Sequence, residues 1–217
     1  MATWGLHIRI AEKVLLKNKD LDTESFLVGN IGPDCGVPNE DRSAFSPPTE
    51  ISHWKTGINK RINPDEFFCK YLEREFYDNK EKSFLLGYYS HLLTDVEFSH
   101  FFMSKKENDV NYKKLEEDKS FIWTIKKDWY DLDRLYFREN PESLFYEVFQ
   151  HINTFPDYLS YFPKGAILNK VKYIRNFYLK PSENLDREYI YLTLSEMNDF
   201  LVNTVEKIEK EIINLMV

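Results

Sequence analysis

An all-α, multi-helix bundle is predicted by three features of the chain. Only 7 glycines occur in 217 residues, too few for the many turns of a β protein. Apolar side chains recur at steps of three or four through most of the sequence, while no stretch sustains the alternation of a half-buried strand. With 14 Tyr and 17 Phe, the core of the bundle is expected to be aromatic. No internal repeat and no break in composition divides the chain, so a single domain over residues 1–217 is expected.

Residues 4–18 place Ile8, Ala11, Val14 and Leu15 on one stripe and Arg9, Glu12 and Lys13 away from it, the pattern of an amphipathic helix. From Val28 to Pro48 the texture changes. Gly29, Gly32, Pro33, Gly36, Pro38, Pro47 and Pro48 rule out a regular helix there, and irregular stretches of that length in compact domains are often functional. Asn63-Pro64-Asp65-Glu66 reads as a helix start, with Asn63 as cap and Pro64 at the first helical position, running on to Phe76. The most apolar helix is expected centrally over about 81–103, followed by a charged connection at 105–119. Helical patterns resume over about 120–138 and restart after Asn140-Pro141-Glu142 to about Leu159. The last helix is expected over about 182–216, with Ile190, Leu194, Met197, Leu201, Val205, Ile208, Ile212 and Leu215 on its apolar face.

A net charge of -7 and a pI near 5.4 argue against a protein that grips nucleic acid chiefly by its backbone. Cys35 and Cys69 lack the spacing of a zinc knuckle or a disulfide framework. Cys35 is read as a plain small residue, with a thiolate ligand beside Asp34 as the alternative. The N-terminus lacks the pattern of a secretory signal, no apolar run reaches membrane-spanning length and no basic amphipathic helix stands out. A cytoplasmic protein without stable membrane anchoring is therefore expected.

The segment Gly87-Tyr-Tyr-Ser-His91-Leu-Leu-Thr-Asp95 carries the most chemistry. On a helix, His91 and Asp95 share one face a turn apart, where both can reach one metal ion. A carboxylate in such apolar surroundings needs a strong partner, which a metal or a histidine supplies equally well. Asp34 follows Gly29-Asn-Ile-Gly-Pro33, where a sharp bend can aim a carboxylate inward or close an Asx-turn. His7 sits on or beside the apolar stripe of the first helix, and His53 ends the irregular stretch in Ile51-Ser-His53-Trp54. His100, five residues beyond Asp95, is rotated by about 140° from it on a regular helix. His151 has Glu147 one turn before it, and Asp128, Asp131 and Asp133 offer carboxylates for a further ion or a solvated acidic face.

The order of these motifs resembles the zinc-dependent phospholipase C family and the related fungal single-strand nucleases. A histidine near the N-terminus is followed by Gly-x-x-x-Pro-Asp, then by Ser-His-Trp, then by His-x-x-x-Asp within Gly-Tyr-Tyr-x-His-Leu-Leu-Thr-Asp. The resemblance covers residues 4–104, with weaker hints to about 137. It implies an all-α fold holding one to three zinc ions, with Asp34, His53, His91 and Asp95 on the first and Asp95 bridging to a second held by His7. An amino-terminal Trp completes the second site in secreted members of the family; here Trp4 is internal. The third ion there takes a histidine six residues after the bridging Asp and a His-x-x-x-Glu pair. This chain offers His100 at five residues and no such pair, leaving Asp128 or Asp131 to substitute.

The function expected is hydrolysis of a phosphodiester or phospholipid head group by metal-activated water, with Asp34 orienting or deprotonating the water. No nucleophilic Ser or Cys motif and no nucleotide-binding glycine fingerprint competes. Two rivals stay open: a nuclease or small-molecule phosphatase on the same site, with nucleic acid only as substrate, and a non-catalytic helical protein with a structural or degenerate metal site.

Overall fold

The computed structural model describes all residues except Arg42 and Val217, together with the side chains of residues 213–216. The first helix starts where Thr3 caps it, its hydroxyl accepting from the Leu6 N–H at 3.3 Å, and α1 runs Trp4–Lys17. It is buried on more than one stripe: Leu6, His7, Ile8, Arg9 and Ile10 are all inaccessible. The outward placement expected for Arg9 is corrected. Its guanidinium lies over the Tyr136 ring at 4.4 Å and donates to Asn198 Oδ1 at 3.2 Å, because partner helices cover α1 on several sides.

Asp22 then caps α2, Thr23–Gly29, by accepting from the Ser25 N–H. This helix was not expected; seven residues are too few for periodicity to declare itself. The irregular segment follows as a 3-10 turn over Gly32–Cys35, an antiparallel pair β1 (Val37–Pro38) and β2 (Phe45–Ser46), a one-turn helix α3 (Thr49–Ser52), and a second pair β3 (Lys55–Thr56) and β4 (Arg61–Ile62). After it, α4 (Pro64–Tyr71) begins at the expected proline but stops before Phe76.

Asp78 caps the long central helix α5, Asn79–Asn108, which runs into the connection expected to follow it. Beyond a one-turn α6 (Lys114–Glu117), α7 covers Ile122–Glu139 as expected. The helix expected to reach Leu159 is not formed. Only α8 (Leu144–Glu147) and a 3-10 turn at Phe149–His151 appear, before extended chain. Pro156 disfavours helical backbone at Phe155, and Phe155 and Tyr158 instead pack on Phe84 of α5 at 5.6 and 5.3 Å.

Helix α9, Ala166–Tyr178, was also not anticipated, although Ile167, Val171, Ile174 and Tyr178 form its buried stripe. Helix α10, Leu194–Met216, starts later than expected. Thr193 and Glu196 form a capping box, the Thr193 hydroxyl accepting from the Glu196 N–H and the Glu196 carboxylate from the Thr193 N–H. Ile190 therefore precedes the helix and is exposed; the Leu215 side chain lies outside the described residues.

The all-α expectation holds, with two two-stranded hairpins as the only described sheets. The core is aromatic, with Tyr88, Tyr112, Phe26, Phe67, Phe84, Phe98, Phe145 and Phe149 fully buried. One crossing places the functional region. At the contact of α2 with α5, a Cβ on Gly29 would meet the Phe84 carbonyl at 2.1 Å, and one on Gly87 would meet the Phe26 carbonyl at 2.3 Å. Two glycines thus let backbone lie on backbone.

Candidate metal centre

That close crossing brings the end of α2 against the middle of α5. The Asn30 carbonyl accepts from His91 Nδ1 at 2.8 Å, and Asn30 Oδ1 accepts from the Ser90 hydroxyl at 3.0 Å. A carbonyl can only accept, so Nδ1 of His91 carries a proton and Nε2 faces away from Asn30. One helical turn on, Asp95 presents Oδ2 to His91 Nε2 at 3.5 Å.

The irregular segment delivers two further groups. The 3-10 turn aims Asp34 at His53, with Oδ1 3.3 Å from Nε2. His53 follows α3, which is tied to α5 by the Tyr88 hydroxyl donating to the Ser52 carbonyl; Tyr161 in turn donates to Tyr88 at 3.0 Å. The Ser52 hydroxyl lies 3.0 Å from His53 Nδ1, leaving Nε2 toward Asp34 and 3.7 Å from Asp95 Oδ2. Trp54, at φ 50, turns the chain sharply after His53, held there by edge contacts with Phe67 and Tyr71 at 5.6 and 5.8 Å. From α1, His7 stacks on His91 with ring centroids 3.7 Å apart and puts Nε2 3.5 Å from Asp95 Oδ1.

These side chains form two overlapping triads, His7–His91–Asp95 and Asp34–His53–His91. His7, His53, His91 and Asp95 are completely buried, and Asp34 retains 11% exposure. Yet His7 Nε2, His53 Nε2, His91 Nε2 and Asp95 Oδ2 have no hydrogen-bond partner. Buried polar atoms without partners are costly. The nitrogen–oxygen separations within the cluster, 3.3–3.7 Å, lie close to the edge of a zinc tetrahedron, about 3.3–3.6 Å for bonds of about 2.0–2.2 Å. Imidazole nitrogens and carboxylate oxygens are zinc donors, and each triad could hold an ion.

Electrostatics agree with an electron-rich cluster. Burial and the neighbouring His91 lower the His7 pKa to about 4, so its ring is neutral at pH 7 with a free lone pair. Burial opposes the charge on Asp34 and Asp95, but the imidazoles around them outweigh it and hold both carboxyls well below their usual range. For His91 burial disfavours the cation, while Asp95 and Asp34 pull the net shift upward. The Ala2 N–H also donates to Asp95 Oδ1 at 2.7 Å, so the oxygen facing His7 already carries a backbone partner.

The remaining candidate residues lie outside the two triads. His100 is exposed on α5 and belongs to neither triad, because a five-residue step carries it off the Asp95 face. Asp131 is buried but engaged, accepting from Arg187 at 2.9 Å and Lys127 at 2.5 Å; Asp128 likewise accepts from Arg187 at 2.6 Å and from two backbone N–H groups. Asp133 is fully buried and accepts from the Tyr178 hydroxyl at 2.7 Å, so these carboxylates form no solvated face. His151 is exposed beside Gln150. The Cys35 Sγ contacts the Ile31 carbonyl at 3.2 Å, and burial pushes its pKa up, against a thiolate.

The family model for zinc dependent phospholipase C matches residues 6–135, more than half of the chain and the span holding all five clustered residues. The chain belongs to the zinc-dependent phospholipase C family. No curated protein and no solved structure matches it. Relative to this zinc-dependent phospholipase C core, Asn30 and Ser52 are the parts that sequence reasoning missed. Both act through backbone geometry or tertiary contact, and no residue pattern signals that. A cavity of about 490 Å3 opens beside Asp34 and His53. Lys126 and Tyr130 from α7 and Lys170 and Tyr173 from α9 line it, and neither lysine was singled out in the sequence. Among the described residues no helix is long and apolar enough to cross a membrane.

Proposed function

We propose that this protein hydrolyses a phosphodiester or phospholipid head group with water activated at a zinc centre held by Asp34, His53, His91 and Asp95. The observation that carries the reading is the convergence of unpartnered, fully buried imidazole nitrogens and a carboxylate oxygen beside an open cavity. Zinc bound there would supply Lewis acidity toward a phosphoryl oxygen and lower the pKa of a water to about 7. His7 with Asp95 offers a partial second set for a further ion.

Each residue has a part in this reaction. His91, its proton pinned on Nδ1 by the Asn30 carbonyl, keeps Nε2 free as a donor. Asp95 holds the two triads together through contacts to His7, His53 and His91. Asp34 and His53 both line the cavity, and of the two Asp34 alone keeps an exposed edge, which suits it to orient the attacking water and take its proton. The water oxygen bonds to phosphorus as the bond to the leaving oxygen breaks, and the proton taken by Asp34 passes to that oxygen.

The test joins metal content with turnover. Elemental analysis of the purified chain is expected to find zinc, and phosphatidylcholine, single-stranded nucleic acid and small phosphate esters are then assayed in parallel. His91→Ala and Asp95→Asn should each lose zinc and hydrolysis together. Stoichiometric zinc and full turnover in both variants would overturn the assignment, whereas zinc without turnover on any ester would favour the structural-metal reading.

A further inference from the structure

The cavity beside Asp34 has a composition that the metal centre does not require. Trp4, Trp123, Tyr130 and Tyr173 line it together with Lys126 and Lys170. Trp123 and Tyr173 are 68% and 54% exposed, so the aromatic surface extends to the rim. Both lysines are partly buried, and among the described residues neither has a carboxylate in salt-bridge range. Lys126 feels the Asp34 and Asp95 carboxylates only at a distance, so two half-buried ammonium groups beside the cluster remain placed to receive an anionic ligand.

A ring of aromatic side chains can instead hold a quaternary ammonium by cation–π attraction. Here three of those four rings, Trp4, Trp123 and Tyr173, already carry the protein's own cations. Lys170 Nζ lies over Trp4 at 5.4 Å and over Tyr173 at 5.7 Å, and Lys126 Nζ over Trp123 at 5.3 Å. A choline head entering this cavity must displace those ammonium groups or sit against their charge. An anionic head finds them placed to receive it, with the rings left to contact an apolar body.

We infer that Lys126 and Lys170 make this cavity select phosphoesters of net negative charge carrying an apolar or aromatic group, and reject choline-type zwitterions. The inference rests on the phosphoesterase reading for turnover, but its binding component stands separately. The same chemistry can come from an anionic lipid or a soluble aryl phosphate.

The experiment uses the zinc-loaded full chain and two substrate pairs: monomeric dihexanoyl phosphatidylglycerol against dihexanoyl phosphatidylcholine, and bis(p-nitrophenyl) phosphate against p-nitrophenylphosphorylcholine. The lipid pair identifies a lipid source and the chromogenic pair a soluble one. In at least one pair kcat/KM should favour the anionic member by about tenfold or more. The Lys126→Gln, Lys170→Gln double variant should lose most of that preference, and the double Lys→Arg variant should keep it. Circular dichroism and zinc content check that each variant is folded and loaded. A preference for choline, or an anionic preference untouched by the Gln variant, overturns the inference and leaves the phosphoesterase reading standing. If no ester turns over, calorimetric binding of inorganic phosphate decides. A loss of about tenfold in affinity in the Gln variant upholds the lysine assignment while the phosphoesterase reading falls, and unchanged affinity overturns the inference as well.

Discussion

At the residue scale, Asp95 is the member on which the cluster turns. It is fully buried, contacts His7, His53 and His91, and receives the Ala2 N–H. Replacing His91 or Asp95 is expected to reach both triads, whereas Lys127→Ala, at the exposed end of an ion pair with Asp131, should shift stability by less than about 1 kcal/mol and leave zinc content unchanged. Elemental analysis and a urea melt read both. A second buried carboxylate gives a pH prediction. Burial raises the Asp133 pKa from 3.8 to about 6, outweighing the hydrogen bonds of Thr3 and Tyr178 and the charges of Arg9 and Arg134, which oppose it. The folded carboxyl therefore holds its proton to higher pH than the unfolded one. Its favourable contribution is complete below pH 3.8 and is lost as pH rises through about 6, by up to about 3 kcal/mol. The Asp133→Asn variant should gain on the wild type as pH rises from 4 to 7, read as the difference in unfolding free energy by urea titration. A pH-independent difference would refute the assignment.

At the scale of elements, the crossing of α2 and α5 sets the geometry of the centre. Gly87 has no room for a methyl group, since a Cβ would lie 2.3 Å from the Phe26 carbonyl. Gly87→Ala should push α2 from α5, lengthen the His91–Asn30 hydrogen bond, lower stability by about 2 kcal/mol or more and reduce zinc affinity. Thermal melts of the apo protein and zinc titration separate the two effects. Tyr88→Phe is a milder probe of the same region. It removes the hydroxyl that holds Ser52 while preserving the ring stacked on Phe67 at 4.6 Å. It should cost about 1 kcal/mol and weaken zinc through His53, without disturbing His91. Helix α7 acts differently: its buried Asp128 and Asp131 fasten the 185–191 segment through Arg187 and Asp133 accepts from Tyr178, so the helix contributes Lys126 and Tyr130 to the cavity wall and none of its carboxylates joins the triads.

At the scale of the whole molecule, groups from α1, the 3-10 turn, the end of α3 and α5 converge on one buried point. Metal binding should therefore be strongly linked to folding. With free zinc at about 100 times its dissociation constant, the native state gains about 2.7 kcal/mol, which corresponds to roughly 5–10 °C in melting temperature for a chain of this size. Scanning calorimetry with zinc and with a chelator measures it, and equal melting temperatures would mean that no ion is held. The sequence by itself determined the all-α class, the first helix, the α4 start and the α7 span, because apolar periodicity and caps are local signals. Its ordered motifs also named, among seven candidates, the five residues that cluster, while His100 and Asp131 lie outside both triads. Only the tertiary structure decided the rest. Arg9, Asp128 and Asp131 look like surface charges in sequence and are buried because distant aromatic and basic side chains receive them. Helices α2 and α9 and the lysines beside the cavity were equally illegible. The first two depend on the surfaces they cover, and Lys126 and Lys170 become neighbours only when α7 and α9 pack on either side of Trp4. Local patterns specify which groups exist, and long-range packing alone specifies which of them share one small volume.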